Sequence, residues 1–203
     1  IPVSLNPYVF IYNRELLKEL NVKPLSSWEE LFELQKMLLQ ANSPRQLWVL
    51  STRSVESVFM SLFLQKNTSL PAHRQEELTD ILHFLKRLRE EKILPPYYKY
   101  WNPYFSDITD GNVLIQIEDA QFLSAIQNSD MELAVSGAPA GKNAFSNSQV
   151  FVFCRPETQA ALQFIQSFFV SPQYERLQKD SFFVSPYQSG NEKLAAENPL
   201  YRQ

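Results

Sequence analysis

Polar side chains cluster within residues 112–126, at the point where the spacing of apolar residues changes from that of a strand to that of a helix. Residues 113–118 alternate with the period of two that is typical of a strand with one buried face, and apolar residues then recur at helical spacing. Asp119 is a suitable helix N-cap, because its carboxylate can accept the free N–H groups of a first turn. A strand that runs into a helix N-terminus directs free amide donors and the side chains of Glu118, Asp119 and Gln121 to one place. This corner favours a polar ligand, although an ordinary strand–helix connection explains the same pattern.

Aromatic residues are most frequent at residues 97–105, just after a predicted helix and two prolines. This window contains Tyr97, Tyr98, Tyr100, Trp101 and Tyr104. Rings that carry a polar group suit a surface that stacks on sugars while the hydroxyl groups form hydrogen bonds. One interpretation is therefore a ligand face shared with Gln121. The other is that two or three of the rings pack against the preceding helix.

Catalytic and metal-binding patterns find no support in the sequence. His73 and His83 lie ten residues apart without a carboxylate or cysteine at ligand spacing, and residues 107–111 predict a turn rather than a calcium loop. The glycine-rich phosphate loops and the nucleophile motif of hydrolases do not occur. Glu118 and Asp119 are adjacent, so they cannot flank one bond as an acid and a base without a third element. We therefore expect no enzyme activity, no metal and no cofactor.

Composition excludes several further classes. The chain has 203 residues, 44% of them apolar and 20% charged, which is typical of a globular protein with a substantial core. Its net charge of −3 offers no general attraction for nucleic acid. The single cysteine, Cys154, rules out an internal disulfide. Residues 1–11 predict a strand rather than a signal peptide, so we expect the first residue to be a cut end.

Predicted strands and helices alternate, which indicates the α/β class with a layered sheet and helices on its faces. Pro7 cannot donate to a central ladder, so the first strand is predicted to be an edge strand or a bent crossing strand. Strands are expected at 3–12, 46–51, 112–118, 133–135, 149–154 and 182–184, and helices at 13–21, 27–41, 56–65, 74–91, 119–126, 156–169, 171–179 and 191–197.

Details of three helices follow from local patterns. Ser27 and Glu30 predict a capping box, in which each side chain binds the backbone N–H of the other residue. Ser171 and Pro172 predict an N-cap followed by proline in the first turn. The apolar face predicted for the helix at 74–91 consists of Leu78, Ile81, Leu82, Leu85 and Leu88. That of the helix at 156–169 consists of Leu162, Ile165, Phe168 and Phe169.

Several motifs occur in an order that resembles a known family. They are V-F-I-Y-N-R-E-L-L at 9–17, P-L-S-S-W-E-E-L-F-E-L at 24–34, the stretch 111–126, S-G-A-P-A-G-K at 136–142, and the helical stretch 156–177. Together they resemble the extracellular solute-binding proteins of ABC importers, with the maltose-binding-like, carbohydrate-binding branch as the nearest. The resemblance covers nearly the whole chain.

This resemblance implies a periplasmic-binding-protein-like second lobe at 1–140, a return segment toward the first lobe at 141–180, and a C-terminal crossover and tail at 181–203. The first lobe is expected to be missing, so the chain is either an isolated part or the remainder of a longer protein. An unpaired edge at 149–154 then predicts association with that lobe or with a second copy of the chain. The implied location is periplasmic or extracellular, with a lipoprotein anchor as one option.

The resemblance also implies a function. The protein would bind a sugar or similar polar solute in an inter-lobe cleft and present it to ABC permease subunits. Gln121 stands where the family often has a stacking tryptophan, so an interaction or signalling domain that has lost ligand binding is the alternative. The predicted ligand-binding residues are Asn6, Tyr8, Arg53, Ser54, Glu56, Tyr97, Trp101, Tyr104, Glu118, Asp119 and Gln121.

Overall fold

Two compact units make up the chain. The computed structural model describes residues 2–41, 46–53, 55–66, 75–95, 108–139, 146–150 and 159–181. Unit 1 contains Ile1–Pro7, Asp119–Gln127 and Ser146–Gln203, and unit 2 contains Tyr8–Glu118 and Asn128–Phe145. Both units therefore combine stretches that are far apart in sequence. The division predicted at residues 140 and 180 stays a prediction.

A mixed sheet is the central feature of unit 2. Its strands are β1 (Pro2–Asn13, of which residues 8–13 belong to this unit), β2 (Trp48–Thr52), β3 (Val113–Asp119, which ends at the boundary with unit 1) and β4 (Leu133–Ser136). The strand order is β2-β3-β1-β4. Strands β2 and β3 are parallel, with Trp48 opposite Val113, whereas β4 is antiparallel to β1.

Helices connect these strands, as the sequence predicted. They are α1 (Arg14–Leu20), α2 (Glu30–Gln40), α3 (Val55–Lys66) and α4 (Gln75–Glu90). The alternation of helices with a mixed sheet confirms the predicted α/β class. Among the described residues, no helix combines the length and the apolar character needed to cross a bilayer.

The first strand is a crossing strand and not an edge strand. In unit 2 it lies between β3 and β4, with Phe10 opposite Ser136. In unit 1 its first residues pair with β5 (Ser146–Val150), with Pro7 opposite Ser146. The Pro7 carbonyl accepts a hydrogen bond from the Ala120 N–H at 2.8 Å. Of the two alternatives predicted from Pro7, the crossing strand is therefore correct.

The core of unit 2 is rich in aromatic rings. Trp28 packs edge-to-face on Phe10 and Phe84, with ring centroids 5.2 and 6.1 Å apart, and Phe32 packs in the same way on Phe84 at 5.4 Å. Such pairs contribute roughly 0.5–1.5 kcal/mol each beyond the area that they bury. They fasten α2 and α4 to the sheet, and thereby hold the strands whose ends carry the polar residues.

The start of α2 differs from the predicted capping box. The helix begins at Glu30 with Glu29 at its N-cap position, and the Glu30 carboxylate accepts the Ser26 N–H at 2.9 Å and the Ser26 hydroxyl. The Ser27 hydroxyl also donates to it, at 3.4 Å. The prediction of Ser27 as N-cap is therefore wrong, because the tight turn ahead of the helix brings Ser26 within reach of the carboxylate.

The apolar face of α4 is narrower than the sequence predicted. Ile81 and Leu88 are buried, and Leu78 and Leu85 are partly buried. Leu82 is exposed, so its assignment to the core is wrong. Leu82 directly follows the buried Ile81, and adjacent residues of a helix are about 100° apart, so Leu82 lies near the border of the buried stripe, where the neighbouring elements decide whether it is covered.

Unit 1 contains the first part of β1, β5, and helices α5 (Phe122–Ile126), α6 (Gln159–Phe169) and α7 (Pro172–Ser181). Strand β5 begins at Ser146, earlier than predicted, because it pairs with β1. The Ser171 hydroxyl accepts the Tyr174 N–H at 3.2 Å, which confirms Ser171 as the cap of α7. The strand at 182–184, the helix at 191–197 and residues 151–154 lie outside the described residues.

Helix α6 exposes more apolar surface than predicted. Ile165 is buried, and Phe168 and Phe169 are partly buried against Tyr174 of α7, with ring centroids 5.2 and 5.0 Å away. Leu162 is exposed, so its assignment to the interior is wrong.

Candidate functional site

Strands β2 and β3 bring Arg53 and Glu118 together in unit 2. The strands are parallel and pair Thr52 with Ile117, so the next residue of each strand follows at the same edge of the sheet. The carboxyl ends of neighbouring parallel strands are the usual place for ligands in α/β sheets. At this edge the Arg53 backbone N–H donates to Glu118 Oε1 at 2.7 Å, and Arg53 Nε donates to Glu118 Oε2 at 2.6 Å. Both carboxylate oxygens are therefore bonded to one residue.

A chain of hydrogen bonds supports this pair from inside the unit. Gln116 Nε2 donates to Glu118 Oε1 at 3.4 Å, and Gln116 Oε1 accepts the Ile108 N–H at 3.1 Å. Ile108 belongs to the turn that ends at Gly111, whose φ of +72° is a conformation that glycine adopts without strain. The turn, the strand and the ion pair are thus fixed to one another.

Burial distinguishes the two members of the ion pair. Glu118 is 2% exposed, and its burial raises the pKa of the carboxyl group, an effect that the Arg53 charge opposes. The side chain of Arg53 is 27% exposed. Part of the Arg53 side chain therefore reaches the surface, whereas Glu118 is shielded from water.

A contact between two hydroxyl groups joins the two ends of the loop between β2 and α3. The oxygens of Thr52 and Ser57 are 2.9 Å apart and both side chains are buried. This contact joins the end of β2 to the first turn of α3 and so limits the movement of Arg53. Glu56 is exposed on that first turn, and Ser54 lies outside the described residues.

Unit 1 contains a second polar group, made of Asn6, Asp119 and Gln121. Asn6 Oδ1 accepts the Gln121 N–H at 3.0 Å, and Asn6 Nδ2 donates to Gln121 Oε1 at 3.5 Å. Asp119 Oδ1 accepts the Phe122 N–H at 3.3 Å, but the N-cap position of α5 is Gln121 and not Asp119 as predicted. The backbone amides at this corner therefore have partners within the unit. The expectation that they are free donors for a ligand is wrong.

The structure corrects one further expectation about β3. Residues 113–118 are all buried, so both faces of the strand are covered and not one. Gln116 and Glu118 were expected to face away from the core, yet they are shielded from water. Sequence reasoning missed Gln116, Thr52 and Ser57 as parts of this group. A usable signal exists for Gln116, since residues i and i+2 of a strand share a face and Gln116 therefore accompanies Glu118.

The other predicted site residues lie elsewhere. Tyr8 is partly buried on β1 and packs against the core of unit 2. Tyr97, Trp101 and Tyr104 lie outside the described residues. A cavity of about 410 Å³ also occurs in unit 2, but its lining contains none of the predicted site residues; it consists of Trp28, Glu29, Leu62, Asp80, Ile81, His83, Phe84 and Arg87. Within the described ranges no group of three or more His, Cys, Asp or Glu is placed to hold a metal ion.

Comparison with known proteins defines the class. A sequence model of the family described as bacterial extracellular solute-binding protein matches residues 1–199. Since the match covers nearly the whole chain, the chain belongs to this family. Its members bind small solutes outside the cytoplasm for transporters and are generally not enzymes. No curated protein matches the chain.

Proposed function

We propose that this protein binds a sugar or similar small polar solute in the periplasm or outside the cell, and presents it to the permease subunits of an ABC transporter. The observation that carries the proposal is the Arg53–Glu118 pair at the carboxyl ends of two adjacent parallel strands. Family membership supports the transport role, and the polar edge in unit 2 supports a polar solute.

Arg53 suits the role of a solute-binding side chain because its orientation is already set. Its Nε and its own backbone N–H both donate to Glu118, so little rotamer freedom remains to be lost on binding. A guanidinium group presents several N–H donors in a planar fork, and sugar hydroxyl oxygens accept such bonds.

Further contacts with the solute would come from other predicted residues. Within unit 2, Tyr8, Ser54 and Glu56 would add hydrogen bonds, and Tyr97, Trp101 and Tyr104 would add stacking surfaces. Stacking by tyrosine and tryptophan combined with a few directed polar groups is the usual composition of a sugar site.

The test is calorimetric titration of the whole natural protein with a panel of neutral mono- and oligosaccharides. We expect one of them to bind, and Arg53→Ala to weaken that binding at least about tenfold, equivalent to roughly 1.4 kcal/mol. Arg14→Ala is the matched control, because Arg14 is also paired with a carboxylate, that of Glu132 at 3.3 Å, and should leave the affinity unchanged. Equal affinities of the wild type and the Arg53 variant would contradict the proposal.

The alternative is an interaction or signalling domain of the same fold that has lost ligand binding. The observation in its favour is that Asn6 Nδ2 donates to Gln121 Oε1 and Asn6 Oδ1 accepts the Gln121 N–H, so the Asn6 amide is already bonded within unit 1. A correctly folded protein that gives no heat with any member of the panel would support this alternative.

A further inference from the structure

We propose that the cavity between the start of α2 and the helices α3 and α4 binds a small neutral aromatic molecule of about two fused rings. Its lining contains neither Arg53 nor Glu118, so the site is separate from the proposed solute site. The lining residues that the structure describes all belong to unit 2. The inference therefore adds a second class of ligand and does not depend on the proposed function.

The floor of the cavity is apolar and shielded from water. Trp28 before α2, Leu62 of α3 and Ile81 of α4 line it, and they are only 7%, 7% and 1% exposed. Phe84 forms the adjoining wall, with its ring centroid 6.1 Å from that of Trp28 and an angle of 85° between the rings. Water beside such side chains finds few hydrogen-bond partners, so an apolar ligand gains free energy by displacing it.

The volume of the cavity suits a bicyclic ligand. It is about 410 Å³, whereas an apolar cavity of roughly 150 Å³ already holds a benzene molecule. The nearly perpendicular rings of Trp28 and Phe84 offer a planar ligand both offset stacking and edge-to-face contact, the two arrangements that aromatic pairs prefer. Size and shape together therefore favour a fused aromatic ring system over a strongly polar molecule.

The charges around the rim disfavour an anionic ligand. Arg87 is already bonded to two carboxylates, since its Nη1 donates to Glu29 at 3.2 Å and its Nε donates to Glu91 at 3.1 Å. Its guanidinium carbon also lies 3.7 Å from the centre of the Phe32 ring. Asp80 adds a further carboxylate to the rim. A carboxylate on the ligand would therefore meet repulsion here, whereas a neutral ligand would not.

His83 is placed to bind the polar group of such a ligand. It is exposed on the rim one helical turn before Arg87, and its imidazole ring has no hydrogen-bond partner in the part of the chain that the structure describes. A neutral imidazole has one N–H donor and one acceptor nitrogen, so it can bond to a hydroxyl group in either direction. We therefore expect an aromatic alcohol to bind better than the corresponding acid.

The test uses indole-3-ethanol and indole-3-acetate, which share the same fused rings but end in a neutral hydroxyl group and a carboxylate. Calorimetric titration of the whole natural protein should give a dissociation constant below about 1 mM for the alcohol, and one at least about tenfold higher for the acid. Nuclear Overhauser contacts between the indole protons of the alcohol and the methyl groups of Leu62 and Ile81 should locate it in the cavity.

Two neighbouring residues of α4 provide matched variants. His83→Trp places a large apolar side chain at the rim and should weaken the binding of indole-3-ethanol at least about tenfold. Leu82→Trp is the control, because Leu82 is 58% exposed and does not line the cavity, so the same side chain there should leave the affinity unchanged. Both positions are exposed, so both variants should fold, and circular dichroism would check this.

Several results would overturn the inference. The first is the absence of binding of indole-3-ethanol to the wild-type protein at about 1 mM. The second is binding of indole-3-acetate that is as tight as that of the alcohol or tighter. The third is binding of the alcohol without contacts to the methyl groups of Leu62 and Ile81. An unchanged affinity in His83→Trp, or an equal loss in Leu82→Trp, would place the ligand elsewhere on the protein and would contradict the inference as well.

Discussion

Glu118 and Gln121 are three residues apart, and their surroundings are opposite. Glu118 ends the buried part of β3 in unit 2, where three N–H donors surround its carboxylate. Gln121 is exposed in unit 1, where it exchanges two hydrogen bonds with Asn6. Both are polar residues of similar size at the junction of a strand and a helix. The difference shows that residue type alone does not predict the role of a polar side chain, because burial sets the cost of losing its partner.

The free-energy cost of losing a hydrogen-bond or ion-pair partner differs between the surface and the interior. Water can replace the lost partner of an exposed group, so hydrogen bonds and ion pairs at the surface contribute at most about 1 kcal/mol. A buried charge or amide cannot recover its bonds in this way, and leaving one without a partner costs several times more. The predictions below test this contrast, from the largest expected effect to the smallest.

Glu118→Ala should lower the free energy of unfolding by about 3 kcal/mol, because the Arg53 amide and the Gln116 amide lose their buried acceptor. The exposed part of Arg53 keeps the loss from being larger. Urea denaturation followed by the fluorescence of the buried Trp28 and Trp48 would measure it. Gln121→Ala is the matched control and should change the value by less than about 0.5 kcal/mol. Equal effects of the two variants would refute the comparison.

Gln116→Leu should lower the free energy of unfolding by about 2 kcal/mol, because the Ile108 N–H is left buried without an acceptor. The leucine has a similar volume, so packing is largely kept. The same urea experiment applies, and amide hydrogen exchange at Ile108 should become faster. Unchanged exchange at that amide would show that Gln116 does not hold the turn.

Asn6→Ala should lower the free energy of unfolding by less than about 1 kcal/mol, because water can replace the lost acceptor at this exposed corner. Its Oδ1 is the acceptor of the Gln121 N–H at the start of α5. Asn6→Asp retains that acceptor and should recover most of the loss. A loss as large as that of Glu118→Ala would mean that this exposed corner is as important for stability as the buried one.

The pH dependence of stability should distinguish Glu118 from Glu30. Burial raises the pKa of Glu118 above its ordinary value of 4.5. As the pH rises from 4.5, the unfolded chain therefore releases this proton before the folded chain does, and stability falls until the folded carboxyl group has also ionised. Glu118→Gln should remove this fall from the stability profile above pH 4.5.

Glu30 should change stability with pH in the opposite direction. The Ser26 hydroxyl and the Ser26 N–H lower its pKa below 4.5, so its contribution is present above that value and is lost as the pH falls through the folded pKa. Glu30→Gln should therefore flatten the acid side of the profile. If the free energy of unfolding of both variants changed with pH in parallel with that of the wild type, ionisation of neither carboxyl group would be linked to folding.

Much of the fold could be predicted because local patterns agree with it. The helix α1 is bounded by two asparagines, Asn13 as N-cap and Asn21 in the left-handed conformation at its C-terminus, and both boundaries were predicted. The cap of α7 at Ser171 was predicted for a similar reason. Such features depend on hydrogen bonds within one turn of helix, so the sequence contains nearly all the information that they need.

The candidate site was only partly predictable. Arg53 and Glu118 were both named, but nothing in the sequence indicates that they bind each other, because 65 residues separate them. Their contact depends on the parallel pairing of β2 with β3. The role of Gln116 was missed since an alternating strand predicts an exposed polar face, whereas neighbours on both sides cover this one.

The sequence by itself determined the class of fold, the family and the residues able to bind a polar solute, because these follow from periodicity, capping and the order of motifs. The tertiary structure decided which of those residues are buried and which are partners. Burial depends on elements that pack from distant parts of the chain, and it changes the free energy of a charge far more than local sequence does. Glu118 is therefore a surface carboxylate in the sequence pattern and a buried partner of Arg53 in the folded protein.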